Sequence, residues 1–190
     1  MAEDALTVLI LDDPDKIALL ADFTRMEILH LLSAHSMTET QLSEQLGLTK
    51  AAVGYHLHLL IEAGLIYVEK TEVEKHGIVQ KYYKPTAKLF IIDPEKIPNS
   101  TRRHFIWQQM ERLIGALSVL QLNNYNLKIS PEILEKLAVA VLKQLREVGM
   151  KYVNFETSES VLSLEIKIYG EALTQILKQK EWRDLFLPLK

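Results

Sequence analysis

Cysteine is missing from the 190-residue chain. Its absence excludes disulfides, thiolate metal sites and thiol nucleophiles, and it is compatible with a reducing compartment. No apolar run approaches the ~20 residues that a bilayer-spanning helix needs. The early apolar run Leu6–Leu11 follows two acids rather than a basic segment, so it does not match a signal peptide. We therefore expect a cytoplasmic protein without a membrane partner.

Signatures of catalysis and of metal binding are also missing. The chain has no glycine-rich phosphate loop, no Gly-x-Ser-x-Gly and no metal-hydrolase spacing. Among its six histidines, His56 and His58 stand two positions apart, and on a helix such a pair points in different directions. No His-x-x-x-His pair occurs. We therefore expect no metal, no cofactor and no catalytic residue.

Charge is distributed unevenly along the chain. It carries 22 Lys and Arg against 25 Asp and Glu, and this net charge of −3 gives little support by itself to a nucleic-acid partner. Residues 75–92, however, hold four lysines and no acid. A local basic stripe on an acidic body is compatible with contacts to DNA phosphates.

Two short helices are predicted between residues 38 and 64. Thr38 followed by Gln41 matches a capping box at a helix start, and Gly47 is typical of a helix end. Thr49 is a second N-cap candidate, and the helix after it ends at Gly64. The apolar stripe of this second helix consists of Val53, Leu57, Leu60 and Ile61. Two helices joined by a short glycine-containing turn make a helix-turn-helix.

The hydrophobic pattern then changes to that of strands. Residues 65–73 and 79–90 are rich in β-branched and aromatic side chains, and residues 74–77 supply a turn between them. A hairpin directly behind a helix-turn-helix is the winged variant of that motif. We therefore predict a winged helix-turn-helix of three helices and a β-hairpin wing over residues 1–92, with 6–11 as a strand or extended arm.

Prolines near residues 93–98 mark the predicted domain boundary, and residues 93–190 form the second region. Its pattern predicts a long helix over 101–122 and another over 131–148. Residues 151–157 and 161–169 are predicted as two strands, because apolar and polar side chains alternate in the second of them, and a last helix begins near Glu171. The predicted fold class is mainly α with α+β parts.

Candidate DNA contacts lie on the second helix of the motif, 49–63. If its apolar stripe faces the core, the opposite face points outward, and its first turns would enter the major groove. The candidates are Thr49, Lys50, Ala51, Gly54, Tyr55 and His58. Gly54 would allow close approach to the duplex. The alternative is an ordinary solvent-exposed helix face.

The wing, residues 70–88, supplies a second set of candidates for phosphate or minor-groove contacts. They are Lys75, His76, Lys81 and Lys84, with Arg25 as a further phosphate contact. Two alternatives stay open. The lysines could protect an edge strand, and Arg25 could form a salt bridge with Asp22 or Glu27.

The helix over 101–122 carries an apolar stripe with steps of four and three residues, as in a coiled-coil seam. Its members are Ile106, Met110, Leu113, Leu117 and Leu120. This stripe is a candidate homodimer interface. The equal alternative is packing against the chain's own C-terminal strands.

Several stretches of residues 12–92 resemble the ArsR-type winged-helix regulators, particularly the archaeal group that lacks the metal-binding cysteines. They are Phe23-Thr24-Arg25 with Ile28-Leu29, Thr40-Gln41-Leu42-Ser43, Val53-Gly54-Tyr55-His56-Leu57, Glu62-Ala63-Gly64-Leu65-Ile66 and the wing with Lys81-Tyr82-Tyr83. The resemblance implies a homodimer on a pseudo-palindromic operator of double-stranded DNA, with helix 49–63 in the major groove. Two departures from the family pattern matter. A small hydroxyl residue is common where Gly54 stands, so the family's base contact at that position does not carry over. The metal-binding cysteine motif is absent, so the family's inducer does not carry over either.

Two other functions remain open from the sequence. The winged helix could be a protein-contact module of the transcription machinery, or residues 100–190 could hold an enzyme or ligand-binding domain with the winged helix as an accessory. A small-molecule effector of unknown identity could bind the C-terminal region.

Overall fold

The computed structural model of the protein describes residues 5–73, 77–122 and 129–183. In chain order the N-terminal elements are β1 (Leu6–Leu11), α1 (Pro14–Leu19), α2 (Phe23–Ala34), β2 (Met37–Thr38), α3 (Glu39–Leu46), α4 (Lys50–Glu62), β3 (Ile66–Val73), β4 (Val79–Pro85) and β5 (Ala87–Ile92). The C-terminal elements are α5 (Asn99–Leu122), α6 (Pro131–Gly149), a short 3-10 helix (Met150–Tyr152), α7 (Val161–Lys178) and α8 (Lys180–Arg183). None of the helices in these ranges has the length and apolar character of a membrane span.

The predicted helix-turn-helix is confirmed, and local capping explains its boundaries. Thr38 and Gln41 form the reciprocal capping box at the start of α3. Gly47 ends α3 with a φ of 65°, a left-handed conformation that favours glycine. The Thr49 hydroxyl then accepts a hydrogen bond from the backbone N–H of Ala52 and starts α4. Buried leucines and isoleucines of α2, α3 and α4 form one core with β3 and β4.

The wing is an antiparallel hairpin of β3 and β4, extended by the short β2 on the far side of β4. Its register runs from the pair Ile66 and Pro85 at the core to the pair Val73 and Val79 near the tip, with an irregularity between Val68 and Lys70. The three helices and the hairpin therefore form the predicted winged helix-turn-helix, preceded by the additional short helix α1.

Residues 6–11 form a strand, as one of the two sequence interpretations predicted. This strand, β1, pairs in parallel with β5 to make a separate two-stranded sheet. One side of the sheet faces the winged-helix core. On the other side, Val8 and Ile91 pack against Val148 of α6 and Leu164 and Ile168 of α7. The β1–β5 sheet therefore joins the two halves of the chain.

The prediction of two C-terminal strands was wrong. Residues 150–152 form a 3-10 turn, and α7 begins at Val161, ahead of the predicted helix start near Glu171. The buried positions of α7 follow a spacing of four, through Leu164, Ile168, Ala172 and Ile176. Two of the four apolar residues that suggested alternation are in fact exposed, Leu162 by 67% and Ile166 by 64%. The helical spacing continues beyond this segment to Ile176, and it places one buried face of α7 against the β1–β5 sheet and α6.

Candidate nucleic-acid interface

Helix α4 presents one exposed face beside the wing. Val53, Leu57 and Leu60 are buried in the core and fix the rotation of the helix. The face opposite them is exposed at four of the predicted contact positions, Lys50, Ala51, Tyr55 and His58. Thr49 is exposed at the N-cap. Ile61, expected in the apolar stripe, is 39% exposed and contributes little to the core.

Tyr55 is the largest side chain on this face and is 59% exposed. Its ring makes an edge contact with His56, at 5.4 Å between ring centroids. Helix α4 has no acidic residue before Glu62, which pairs with His58 at 3.3 Å near the end of the helix. The first turns of α4 therefore offer one lysine, a helix N-terminus and an amphipathic ring, and the helix itself contributes no carboxylate there, which favours a phosphate-rich partner.

Gly54 occupies a different position from the predicted one. It is only partly exposed, and a Cβ placed on it would lie 3.4 Å from the carboxylate of Glu39 in α3. The close approach that Gly54 allows is therefore between α3 and α4, rather than toward open solvent. Because 3.4 Å is ordinary van der Waals contact, packing against α3 does not by itself require glycine at this position.

His56 lies at the edge of the core and faces Asp22 at the start of α2. Its side chain is 16% exposed, and Nδ1 is buried without a hydrogen-bond partner among the described residues. Asp22 Oδ1 lies 3.8 Å away. The Asp22 carboxylate also caps α2 by accepting a hydrogen bond from the backbone N–H of Arg25. His56 is therefore the side chain through which α4 meets the start of α2.

Arg25 does not face the candidate DNA surface as a free cation. Its side chain is 14% exposed, its Nε donates to the carbonyl of Leu19, and its Nη1 lies 3.8 Å from Asp22 Oδ2. Of the two interpretations of the sequence, the structure therefore favours the salt bridge to Asp22. The guanidinium ties the end of α1 to the start of α2.

The wing lysines differ in how far their charges are already paired. Lys84 donates to Glu69 across the hairpin at 2.8 Å, and this contact lowers the pKa of Glu69. Lys81 is exposed, and no ion pair to it occurs among the described residues. Lys75 and His76 lie outside the described residues. Lys81 is therefore the described wing candidate most available to a phosphate.

Lys70, inside the predicted wing range, was not a candidate contact, and its charge is also paired. It donates to Glu72 at 2.7 Å and lies 4.4 Å from the ring centroid of Tyr82. The same wing exposes three apolar side chains that the sequence analysis did not single out, Val73, Ile78 and Val79. Alternation could not have identified them, because Ile78 and Val79 are adjacent and neighbouring side chains of a strand point to opposite faces.

The candidate dimer stripe of α5 packs inside its own chain. Ile106, Leu113 and Leu117 are buried in a cluster with α6, α7 and α8, and Met110 packs against it. The side chain of Leu120 lies outside the described residues. The contacts match the alternative of intrachain packing, although the partners are helices where strands were expected. These side chains are consequently not available to a second copy in this conformation.

A different face of α5 is exposed. Trp107 is 57% and Ile114 49% exposed, and their spacing of seven residues places them on one side of the helix. Trp107 Nε1 donates to Glu111 at 3.1 Å on the same side. In the described residues, no group of three or more His, Asp or Glu side chains is arranged to hold a metal ion.

Comparison with known families bears on the segment that contains this face. Residues 22–68 match the family model "Bacterial regulatory protein, arsR family". They are similar to the helix-turn-helix domain of that family. The matched segment spans α2, α3, α4 and the start of β3, the elements that position the exposed face of α4. An ArsR-family domain supports a DNA-binding transcription regulator, and such regulators are generally not enzymes.

Two further comparisons complete this result. A search of curated proteins finds no significant match. The solved structure of the adhesin competence repressor from Streptococcus pyogenes is similar with 21% identity and a TM-score of 0.33, over 67% of this chain and 80% of that one. Because this TM-score is low, the likeness supports no conclusion about function here.

Proposed function

We propose that the protein is a homodimeric transcription regulator of the cytoplasm that reads a pseudo-palindromic operator. Residues 1–92 are the DNA-binding domain, and residues 93–190 carry the dimer contacts and an effector site. Helix α4 enters the major groove, and the wing lies against the minor groove and the phosphates. The observation that carries the proposal is the exposed face of α4, which has Lys50, Ala51 and Tyr55 at its start and no acid before Glu62.

Salt dependence of binding tests the phosphate contacts. The apparent affinity for duplex DNA from upstream of the protein's own gene is measured over a range of salt concentrations by fluorescence anisotropy. Each lost phosphate contact flattens the log–log slope by about 0.9, so Lys81→Ala in a dimer reduces it by about twice that amount. Lys136→Ala is the matched control, because it removes one exposed lysine from α6, outside the winged helix. Equal slopes for the two variants would contradict the wing contact.

Sequence specificity tests the α4 contacts. Tyr55→Ala should weaken binding to the selected duplex more than binding to random duplex, since base contacts are worth about 1–3 kcal/mol of discrimination. Ile61→Ala on the same helix serves as the control, because Ile61 is also exposed but lies at the end of α4, away from its first turns. If Tyr55→Ala weakens both duplexes equally, α4 does not read base edges.

The exposed Trp107 and Ile114 on α5 support the homodimer. We propose this exposed face as the dimer interface, in place of the predicted stripe, which is buried within the chain. Light scattering coupled to size exclusion measures the mass in solution. Ile114→Glu should convert the dimer into a monomer, whereas Val73→Glu at the exposed wing tip should not. A monomer for the unchanged chain at micromolar concentration would refute the proposal.

The exposed wing tip favours a second candidate function. Val73, Ile78 and Val79 form an apolar end that suits a protein partner better than a phosphate backbone. A winged helix used for protein contact would bind no duplex above the level of an acidic control protein. In that case Val73→Glu, rather than Lys81→Ala, would abolish its interaction.

A further inference from the structure

A cavity of about 170 Å³ lies between the winged helix and the C-terminal helices. Its walls are mostly apolar and come from both halves of the chain. The winged-helix side supplies Met26 of α2 and Phe90 of β5, and the C-terminal side supplies Phe105, Leu145 and Ile168. A dry apolar cavity of ~150 Å³ is large enough to hold a benzene-sized molecule. The apolar part of this cavity therefore has room for one aromatic ring or a short branched chain.

One edge of the cavity is polar and contains a partly buried hydrogen bond. Gln109 is 3% exposed, and its Nε2 donates to the Tyr169 hydroxyl at 2.7 Å. The hydroxyl therefore keeps its own proton to donate, and no acceptor for it occurs among the described residues. Burial raises the pKa of Tyr169, so it remains a hydrogen-bond donor at neutral pH. A bound group with an acceptor oxygen could therefore take a hydrogen bond from this half-buried hydroxyl.

Arg112 lies at the same edge of the cavity, and its guanidinium N–H groups can donate further hydrogen bonds. Its Nη1 lies 3.9 Å from Glu165 Oε1, which is an ion pair but longer than a hydrogen bond. Both side chains line the cavity, and the Glu165 side chain is 43% exposed, so its carboxylate can turn to solvent. A guanidinium binds carboxylates with two parallel hydrogen bonds. Arg112 and Tyr169 thus place a positive fork and a hydroxyl donor beside an apolar chamber.

We propose that this cavity binds a small monocarboxylic acid with an apolar body, whose carboxylate pairs with Arg112 and accepts from Tyr169 while the body fills the chamber. Glu165 disfavours the anion while it faces Arg112, and binding displaces it. The lining contains no histidine, serine, threonine or lysine among the described residues, so a ligand held there meets no paired nucleophile and base. The chemistry of the cavity is that of a binding site.

The position of the cavity gives this ligand a route to the DNA-binding elements, and this part rests on the proposed function. Met26 belongs to α2, which packs in one core with α3 and α4. Phe105 lines the cavity and is also part of that core. A ligand that contacts both therefore touches the helix that supports α4, and any difference in its affinity between the free and DNA-bound states appears as an equal change in DNA affinity.

The test uses the full-length protein without DNA and benzoate as the probe, followed by isothermal calorimetry and by chemical-shift changes. Toluene, benzamide and benzylamine are compared as ligands of similar size with a neutral or positive head. Benzoate should bind best, and Arg112→Gln should weaken it by about tenfold or more while leaving toluene within about twofold. Arg103→Gln is the control, because it removes an equally exposed arginine of α5 that does not line this cavity.

Two more variants separate the site from folding effects. Leu142→Trp fills the chamber and should abolish binding of benzoate and toluene alike, and Tyr169→Phe should weaken benzoate alone. No binding of any probe, binding insensitive to Leu142→Trp, or stronger binding of toluene, benzamide or benzylamine than of benzoate would each overturn the proposal. None of these outcomes bears on the duplex measurements, which contain no ligand, so failure of the site and failure of the regulator function are distinguishable.

Discussion

Gly54 offers a test that separates helix packing from DNA contact at a single atom. The substitution Gly54→Ala adds one methyl group, which the structure directs at the Glu39 carboxylate of α3 at a distance of 3.4 Å. This is the edge of ordinary van der Waals contact, and Glu39 is a flexible, partly exposed side chain that can yield by a few tenths of an ångström. The methyl group should therefore be accommodated.

The expected magnitude follows from the helix interior. Alanine is favoured over glycine there by roughly 0.5–1 kcal/mol, and for a chain of this length 1 kcal/mol corresponds to about 2–4 °C in Tm. Gly54→Ala should raise the free energy of unfolding by this amount. Gly115→Ala on α5 is the matched control, since a Cβ there meets nothing within 4 Å. The difference between the two gains then measures the cost of the contact with Glu39.

Duplex binding decides between the two roles of Gly54. Because the methyl group faces α3, the affinity of Gly54→Ala for the selected duplex should stay within about twofold of the unchanged chain, under 1 kcal/mol. Denaturant unfolding and fluorescence anisotropy provide the two measurements. A stability gain accompanied by a tenfold loss of affinity would refute the conclusion that the methyl group faces α3, and would indicate that position 54 contacts DNA.

Three further predictions follow from caps, close contacts and a buried phenol. Thr38→Ala removes the hydroxyl of the capping box and should cost about 0.5–2 kcal/mol in denaturant unfolding, whereas Thr174→Ala on exposed α7 should change little. Gly149→Ala places a Cβ 2.5 Å from Ile91 Cδ1, so it should lower stability by about 1–3 kcal/mol less its helix gain, and a rise in Tm would contradict this. Burial raises the pKa of Tyr83 above its ordinary value, so the folded chain binds its proton more tightly than the unfolded chain and stability falls as pH rises past about 10. Tyr83→Phe should reduce that fall when unfolding is followed across this pH window, and an unchanged slope would refute it.

The parts of the fold that the sequence predicted are those fixed by neighbours in the chain. The capping box of Thr38 and Gln41 spans three residues, and the left-handed Gly47 follows directly after α3. Such signals are local, so they identify both helices of the motif without knowledge of the remaining fold. The same locality explains why a family model matches 22–68 and ends within β3.

The candidate site was predicted less completely, because charge pairing depends on the register of distant strands. Lys84 looked like a free wing cation, but its partner Glu69 stands on the other strand of the hairpin. For Arg25 the sequence left both a phosphate contact and a salt bridge open, and only the fold shows that its side chain contacts Asp22 and Leu19; likewise only the fold shows that Gly54 faces Glu39 of α3. A pattern of residue types predicts which face of a helix is exposed, but it does not predict which side chains of other elements contact that face.

The C-terminal half shows why periodicity alone could not decide between strand and helix. Along 161–169 the apolar side chains at even positions satisfy a period of two, while Leu164 and Ile168 also satisfy a spacing of four that continues to Ala172 and Ile176. The same residues fit both the period of two and the spacing of four, and only the spacing of four continues beyond residue 169. Ala172 is not a typical strand residue, and its small side chain permits close packing of α7 against the β1–β5 sheet.

The cavity depends entirely on contacts of this long-range kind. Gln109 and Tyr169 are sixty positions apart and Met26 is more distant still, so no local signal links them. The helix-turn-helix elements, by contrast, are specified by short local motifs that the matched family model also contains. Under the proposed function, substitutions of a few cavity residues between the two halves could change the ligand while α4 stays the same. Arg112 is the residue at which we expect that change to be most direct, because replacing it alters the charge the cavity accepts while leaving the core cluster around α2 and α4 intact.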